Sequence, residues 1–185
     1  MNRALQQISL RIRNQLLRKQ EAARQGHILT YAQVRQVGVL FRAPTKEQAI
    51  AVDLLIKGLL NDGKSVSAFT FLDNEPSPEC KVAFKSFRPT DIDQWGRIKL
   101  ELVNRFIDTP LDYMICISTG PLTEFEHVIM RSQAYCRIGN SQAAMPHLFD
   151  LVFDTDGISP EEGATAILGY LRMLQGDWVR PVYLG

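Results

Sequence analysis

The sequence predicts an α/β fold: a doubly wound, mostly parallel sheet of five to six strands with an added N-terminal amphipathic helix. Three observations carry this. Short apolar runs alternate with segments of helical periodicity from about residue 37 to residue 175. Most of these runs are continuously apolar, as strands covered on both faces are. Helix caps and helix-stopping glycines fall between them, where crossover connections need them.

Taken in order, residues 2–25 read as a helix, with Leu5, Ile8, Ile12 and Leu16 on one face, arginines and glutamines opposite, and Gly26 as a stop. "VGVLF" (37–41) is the first clear strand. Thr45 and Gln48 form a capping-box pattern that opens a helix ending at Gly63. "SVSAFTFLD" (65–73) alternates and reads as the second strand, "NEPSPE" as a loop, and "KVAFKSF" (81–87) as a third strand. In "RPTDIDQWGRIKLELVNRFIDTP" a helix begins either before Trp95, capped by Asp91 or Asp93, or at about Ile98 after an aromatic loop. It ends near Phe106. "DYMICIS" (112–118) is the fourth strand, and Thr123 with Glu126 makes a capping box for the short helix "EFEHVIMRSQ". "YCRIGN" (135–140) and "FDLVFD" (149–154) are the fifth and sixth strands. "SPEE" (159–162) sets a cap serine, a first-turn proline and glutamates before a last helix, which ends at Gly176. The tail 177–185 is apolar and aromatic, suited to packing on the body or on another chain. Residues 1–30 thus form a basic amphipathic appendage and residues 31–185 a single α/β domain.

Composition narrows the function classes. The 185 residues carry a net charge of +1, which argues against nucleic-acid binding by overall basicity. Residues 1–26 hold six basic side chains against Glu21, a charge of +5, leaving −4 for the rest. The three cysteines (Cys80, Cys116, Cys136) show no CxxC spacing, and a reducing cytoplasm suits them. No stretch has the length of a membrane span or the layout of a secretory signal, so the expected location is the cytoplasm.

Candidate chemistry is sparse. The histidines His27, His127 and His147 have no metal-binding spacing, and no metal or cofactor is expected. GxSxG, P-loop and GxGxxG patterns are missing, and "DTDG" (154–157) reads as a turn. Ligands of open parallel sheets bind beyond the C-terminal strand ends. Those ends gather Asp73, Ser118, Thr119, Asn140 and Asp154 as polar candidates. In "STGPLTEFE", the first-turn glutamates complement the helix dipole and repel phosphate. The better anion site is "FRAPTK", where Arg42, Thr45 and Lys46, joined by Arg88, would hold the anion.

The run "PLDYMICIS", short helix, "AYCRIGNS", loop, "LFDLVFD", with "DQWGRIK" (93–99) before it and "YLRML" (170–174) after it, resembles a family of small uncharacterised bacterial proteins, chiefly from Bacteroidota. In that family an aspartate-led strand precedes an "A-x-hydrophobic-R-hydrophobic-G" strand. The resemblance spans about residues 37–175 and implies a Rossmann-like core without an assigned activity. The same pattern is similar to the N-terminal half of heptosyltransferase-like glycosyltransferases. That likeness implies topology alone, since "RAPTKE" lacks the glycine–aspartate pairing expected after the first strand.

Three functional readings follow. The leading one is a non-catalytic protein-interaction or assembly module, acting as a homodimer or on a partner protein through the N-terminal helix or the tail. The second is a small-molecule or anion-binding domain, or an enzyme on a nucleotide or sugar derivative, at the strand ends. The third places residues 2–25 on an anionic membrane surface; the lack of Trp and Phe on the apolar face weighs against it.

Overall fold

The computed structural model describes residues 27–42, 45–72, 84–93, 98–118, 120, 123–140, 148–174 and 178–179. The strands are β1 (His27–Ile28), β2 (Gln36–Phe41), β3 (Ser65–Phe71), β4 (Lys85–Phe87), β5 (Tyr113–Ile117), β6 (Cys136–Asn140), β7 (Leu151–Phe153) and β8 (Trp178–Val179). The helices are α1 (Lys46–Asn61), α2 (Glu101–Asp108), α3 (Thr123–Arg131) and α4 (Pro160–Met173).

Six of the strands form one all-parallel sheet in the order β4-β3-β2-β5-β6-β7. Counting within this sheet alone, the order is 3-2-1-4-5-6, so the chain reverses direction across the sheet between β2 and β5. This is the doubly wound, Rossmann- or flavodoxin-like arrangement, and it agrees with the expected fold class.

Both faces of the sheet are covered. On one, Val37, Val39, Phe41, Tyr113, Ile115 and Ile138 meet Val52, Leu55 and Leu59 of α1 and Ile167 and Leu171 of α4. On the other, Leu40, Phe69, Phe71, Met114 and Cys116 meet Phe106 of α2 and Phe125 and Val128 of α3. Alternate residues of the central strands go to opposite faces and both faces are apolar, which is why these strands read as continuous runs. Two glycines make room for this packing. A Cβ on Gly38 would lie 2.6 Å from Leu111 and 2.7 Å from Phe106, and one on Gly139 would lie 2.6 Å from the Phe149 ring.

The aspartate-led strands have a structural cause. Just before β5, the Asp112 carboxylate accepts from the N–H groups of Arg35 (2.6 Å) and Gln36 (2.8 Å), at the start of β2. Just before β7, the Asp150 carboxylate accepts from the Arg137 N–H (2.8 Å), at the start of β6. In both pairs the aspartate N–H also donates to the neighbouring strand, to Gln36 O (2.9 Å) and Arg137 O (2.7 Å). The motif stitches parallel strands together at the end of the sheet remote from the C-terminal strand edge.

Several boundaries differ from expectation. The third strand is described only from Lys85 to Phe87. The following segment opens not as a helix but as a 3-10 turn at Pro89–Asp91, because the Asp91 carboxylate accepts from Arg88 N–H at 2.7 Å. An isolated bridge joins Ile92 to Ile98, and α2 begins only at Glu101, after Leu100, which supplies no side-chain cap. Thr123 is the first described residue of α3, and the two residues before it lie outside the described residues. The sixth strand is confined to Leu151–Phe153, and α4 stops at Met173, short of the glycine expected to end it. His27, just after the expected stop at Gly26, lies in β1, which pairs antiparallel with the tail strand β8. The expected helix over residues 2–25, the loops 74–79 and 141–147, and most of the tail lie outside the described residues.

Candidate functional site

A cleft of about 170 Å³ opens at the C-terminal edge of the sheet, at the reversal between β2 and β5. Strand-end residues Arg42, Ile117, Asn140 and Thr155 form its floor, since they follow or end β2, β5, β6 and β7. Gln48, Ala51 and Val52 of α1 make one wall, and Ile158, Ser159, Pro160, Gly163, Ala164 and Ile167 at the start of α4 make the other. The fold positions these walls because α1 leaves β2 and α4 leaves β7, both packing on the same face of the sheet.

Much of the polar lining is engaged in the framework. Asn140, 5% exposed, bridges strand ends: its Oδ1 accepts from Ser118 N–H (3.1 Å) and its Nδ2 donates to Ser118 O (2.9 Å) and to Thr155 Oγ1 (3.4 Å). Gln48 Oε1 accepts from Thr45 N–H (3.2 Å) while Thr45 Oγ1 accepts from Gln48 N–H (3.3 Å), the expected capping box. Ser159 and Glu162 repeat the device at α4. The Ser159 N–H and hydroxyl donate to the Glu162 carboxylate and hold its pKa below the ordinary value. Glu47 in the first turn of α1 is likewise lowered, chiefly by a backbone hydrogen bond and then by Thr45. Both helix N-termini facing the cleft are therefore capped and carry carboxylates, an arrangement that disfavours a phosphate.

Of the four residues expected to hold an anion, Arg42 alone lines the cleft. Its N–H donates to Ile117 O (3.0 Å), which ties β2 to β5, and its guanidinium lies 5.1 Å from the centroid of the Phe71 ring on β3. Strand parity explains this: Phe41 faces α1 and α4, so the next side chain turns to the opposite face, where Phe71 packs. Thr45 is the helix cap, and Lys46 is exposed as the first residue of α1. Arg88 follows β4, two strands from β2, roughly 10 Å across the sheet. Thr45 and Lys46 thus stand at the start of α1, outside the cleft lining.

Among the strand-end candidates, Asn140 lines the cleft and Ser118 is buried beside it, its hydroxyl donating to Gly120 O (3.0 Å). Asp154 is exposed and accepts from Asp156 N–H (3.1 Å), closing the expected "DTDG" turn at Gly157, whose φ is +79°. Asp73 and Thr119 lie outside the described residues. Thr155, Ile158 and Gly163 were not singled out by sequence reasoning. The strand-end rule reaches them once β7 is known to neighbour β6.

Two buried cationic side chains, Lys64 and Arg137, bond to backbone carbonyls of the framework. Lys64 Nζ donates to Tyr31 O (2.7 Å) and Val34 O (2.9 Å) and sits 4.3 Å from the Tyr31 ring centroid; burial lowers its pKa. The arginine of "CRIGN", Arg137, donates to Met130 O (3.2 Å) and Ser132 O (3.1 Å), closing the C-terminal end of α3. Cys116 and Cys136 are buried thiols, and burial pushes the Cys116 pKa up. Cys80 and His147 lie outside the described residues. No group of three or more metal-ligating side chains occurs among the described residues. Likewise, no described helix is long and apolar enough to cross a membrane.

Strand order and cleft together define a doubly wound α/β domain with an apolar pocket at its switch point. The chain belongs to a family of unknown function, DUF6913, whose model matches residues 6–174. Neither a curated protein nor a solved structure matches it.

Proposed function

We propose that the protein is a non-catalytic binding module whose switch-point cleft takes a small, uncharged and largely apolar molecule. One observation carries this reading: Arg42 is the sole ionisable side chain among the described lining residues, and its guanidinium is drawn toward Phe71. Acid–base or nucleophilic catalysis needs a group such as His, Asp, Glu, Lys or Cys at the reacting atoms. The volume suits a fragment-sized ligand, below the ~300–1,000 Å³ of sites for larger molecules. Thermal-shift screening of the full chain tests it, with indole, benzene, small amides, nucleotides and inorganic phosphate as probes. Uncharged apolar probes should raise the melting temperature. Ile158→Trp, at a rim residue 43% exposed, should abolish the effect. Stabilisation by nucleotides or phosphate that persists in Ile158→Trp would overturn the reading.

A second reading, contact with another protein, is favoured by Tyr170 and Met173 on α4. They are 57% and 73% exposed, and Tyr170 stacks on Phe153 of the terminal strand β7. Light scattering across a concentration range tests for a homodimer, which Tyr170→Glu with Met173→Glu should weaken.

A further inference from the structure

The two helices that wall the cleft open with the same capping device, and the two copies differ in one chemical group. In α4 the third helical residue is Glu162, which is exposed and stands outside the cleft lining. In α1 it is Gln48, which is half-buried and lines the cleft. A capping box takes only an oxygen from this residue, so glutamate serves it as well as glutamine. The difference lies at the other end of the side chain. A carboxylate accepts at both oxygens, whereas the glutamine amide keeps an NH2 group with two donors.

Hydrogen bonding fixes which end of the Gln48 amide serves the helix. The Thr45 N–H is a donor, so the Gln48 atom 3.2 Å from it is Oε1. The NH2 group is left over and makes no hydrogen bond to a described residue. Other polar side chains of the lining are engaged in the framework. Asn140 uses its oxygen and its nitrogen on Ser118 and Thr155. The Ser159 hydroxyl donates to the Glu162 carboxylate and accepts from the Glu162 N–H. Arg42 lies against the Phe71 ring.

We propose that Gln48 determines the specificity of the cleft, and that the ligand is an apolar molecule bearing an uncharged hydrogen-bond acceptor, a carbonyl oxygen above all. This inference rests on the cleft being a binding site for uncharged molecules. The apolar part of the ligand packs on Ala51, Val52, Ile117 and Ile167, and its oxygen accepts from Gln48 Nε2. A carbonyl entering the cleft gives up its water, and without a donor that loss stays uncompensated. A neutral amide supplies the donor without the added attraction for anions that a charged donor brings. Glu47 and Glu161, in the first turns of the two helices, further disfavour a negatively charged ligand.

The test compares acetophenone with α-methylstyrene, which has CH2 in place of the carbonyl oxygen and nearly the same shape. Both are titrated into the isotope-labelled full chain as wild type, Gln48→Leu and Gln48→Glu, with folding read by circular dichroism. Transfer out of water differs between the probes but is common to all three proteins. The change in the ratio of their Kd values between wild type and variant therefore isolates the hydrogen bond. In the wild type, acetophenone should move the Gln48 side-chain NH2 signal further downfield than α-methylstyrene does. Gln48→Leu should raise the Kd of acetophenone relative to that of α-methylstyrene by about twofold to tenfold. Gln48→Glu keeps the capping box and should raise it at least as far, because the carboxylate meets the carbonyl with an acceptor. A ratio unchanged in both variants would overturn the inference and leave the apolar cleft standing. Failure of both probes to bind the wild type would overturn the cleft reading and this inference together.

Discussion

Asn140 shows how single residues hold this edge of the sheet. Its amide pairs with both backbone groups of fully buried Ser118, so Asn140→Ala strands a donor and an acceptor. The expected cost is about 1–3 kcal/mol, measured by urea unfolding. Two glycines should respond in opposite directions. Gly139→Ala forces the Phe149 ring aside and should destabilise by roughly 1–3 kcal/mol. At Gly163, in the first turns of α4, the nearest atom to an added Cβ is 3.6 Å away. Gly163→Ala should therefore stabilise by about 0.5–1 kcal/mol, from helix propensity alone. Only the packed sheet separates these cases. In sequence, the glycine of "RIGN" and that of "EEGATA" look equally permissive.

Among the elements, α1 and α4 were legible because their start signals are local. Thr45 with Gln48 and Ser159 with Glu162 both close the boxes that their spacing suggests. Ser159→Ala should cost about 1 kcal/mol in thermal unfolding. The start of α2 was not legible, since Leu100 provides no side-chain cap and Asp91 serves a turn instead. The joint "FRAPTK" likewise takes a form that its local sequence does not show. Sequence proximity joins Arg42, Thr45 and Lys46, but strand parity turns Arg42 away and helix capping occupies Thr45. Strand order is a long-range property, so the neighbours that make the cleft, β6 and β7 with the start of α4, were beyond reach of any local pattern.

For the whole molecule, Asp62 is the tie at the lower end. It accepts from Tyr31 and Arg172 and so joins the entering chain, α1 and α4. Arg172 foremost holds its carboxyl below the usual carboxylate range. A depressed folded pKa means that this stabilisation is present above the unfolded value, about 4, and is lost as pH falls through the folded value. Unfolding measured from pH 7 to pH 2 should therefore show a loss of stability below about pH 4, and Asp62→Asn should flatten part of that slope. The Tyr31 hydroxyl is pushed up by burial and by Asp62, so it stays protonated across this range. The cleft lies at the opposite end of the helices from this tie, which leaves stability and ligand binding separable. The most direct measurement is a titration of the isotope-labelled full chain with indole, read by amide NMR shifts. Binding at the switch point should move Gln48, Ile117, Thr155 and Gly163, and Ile158→Trp should erase those shifts. Shifts on another face, or shifts unchanged in Ile158→Trp, would contradict a binding site between β2 and β5.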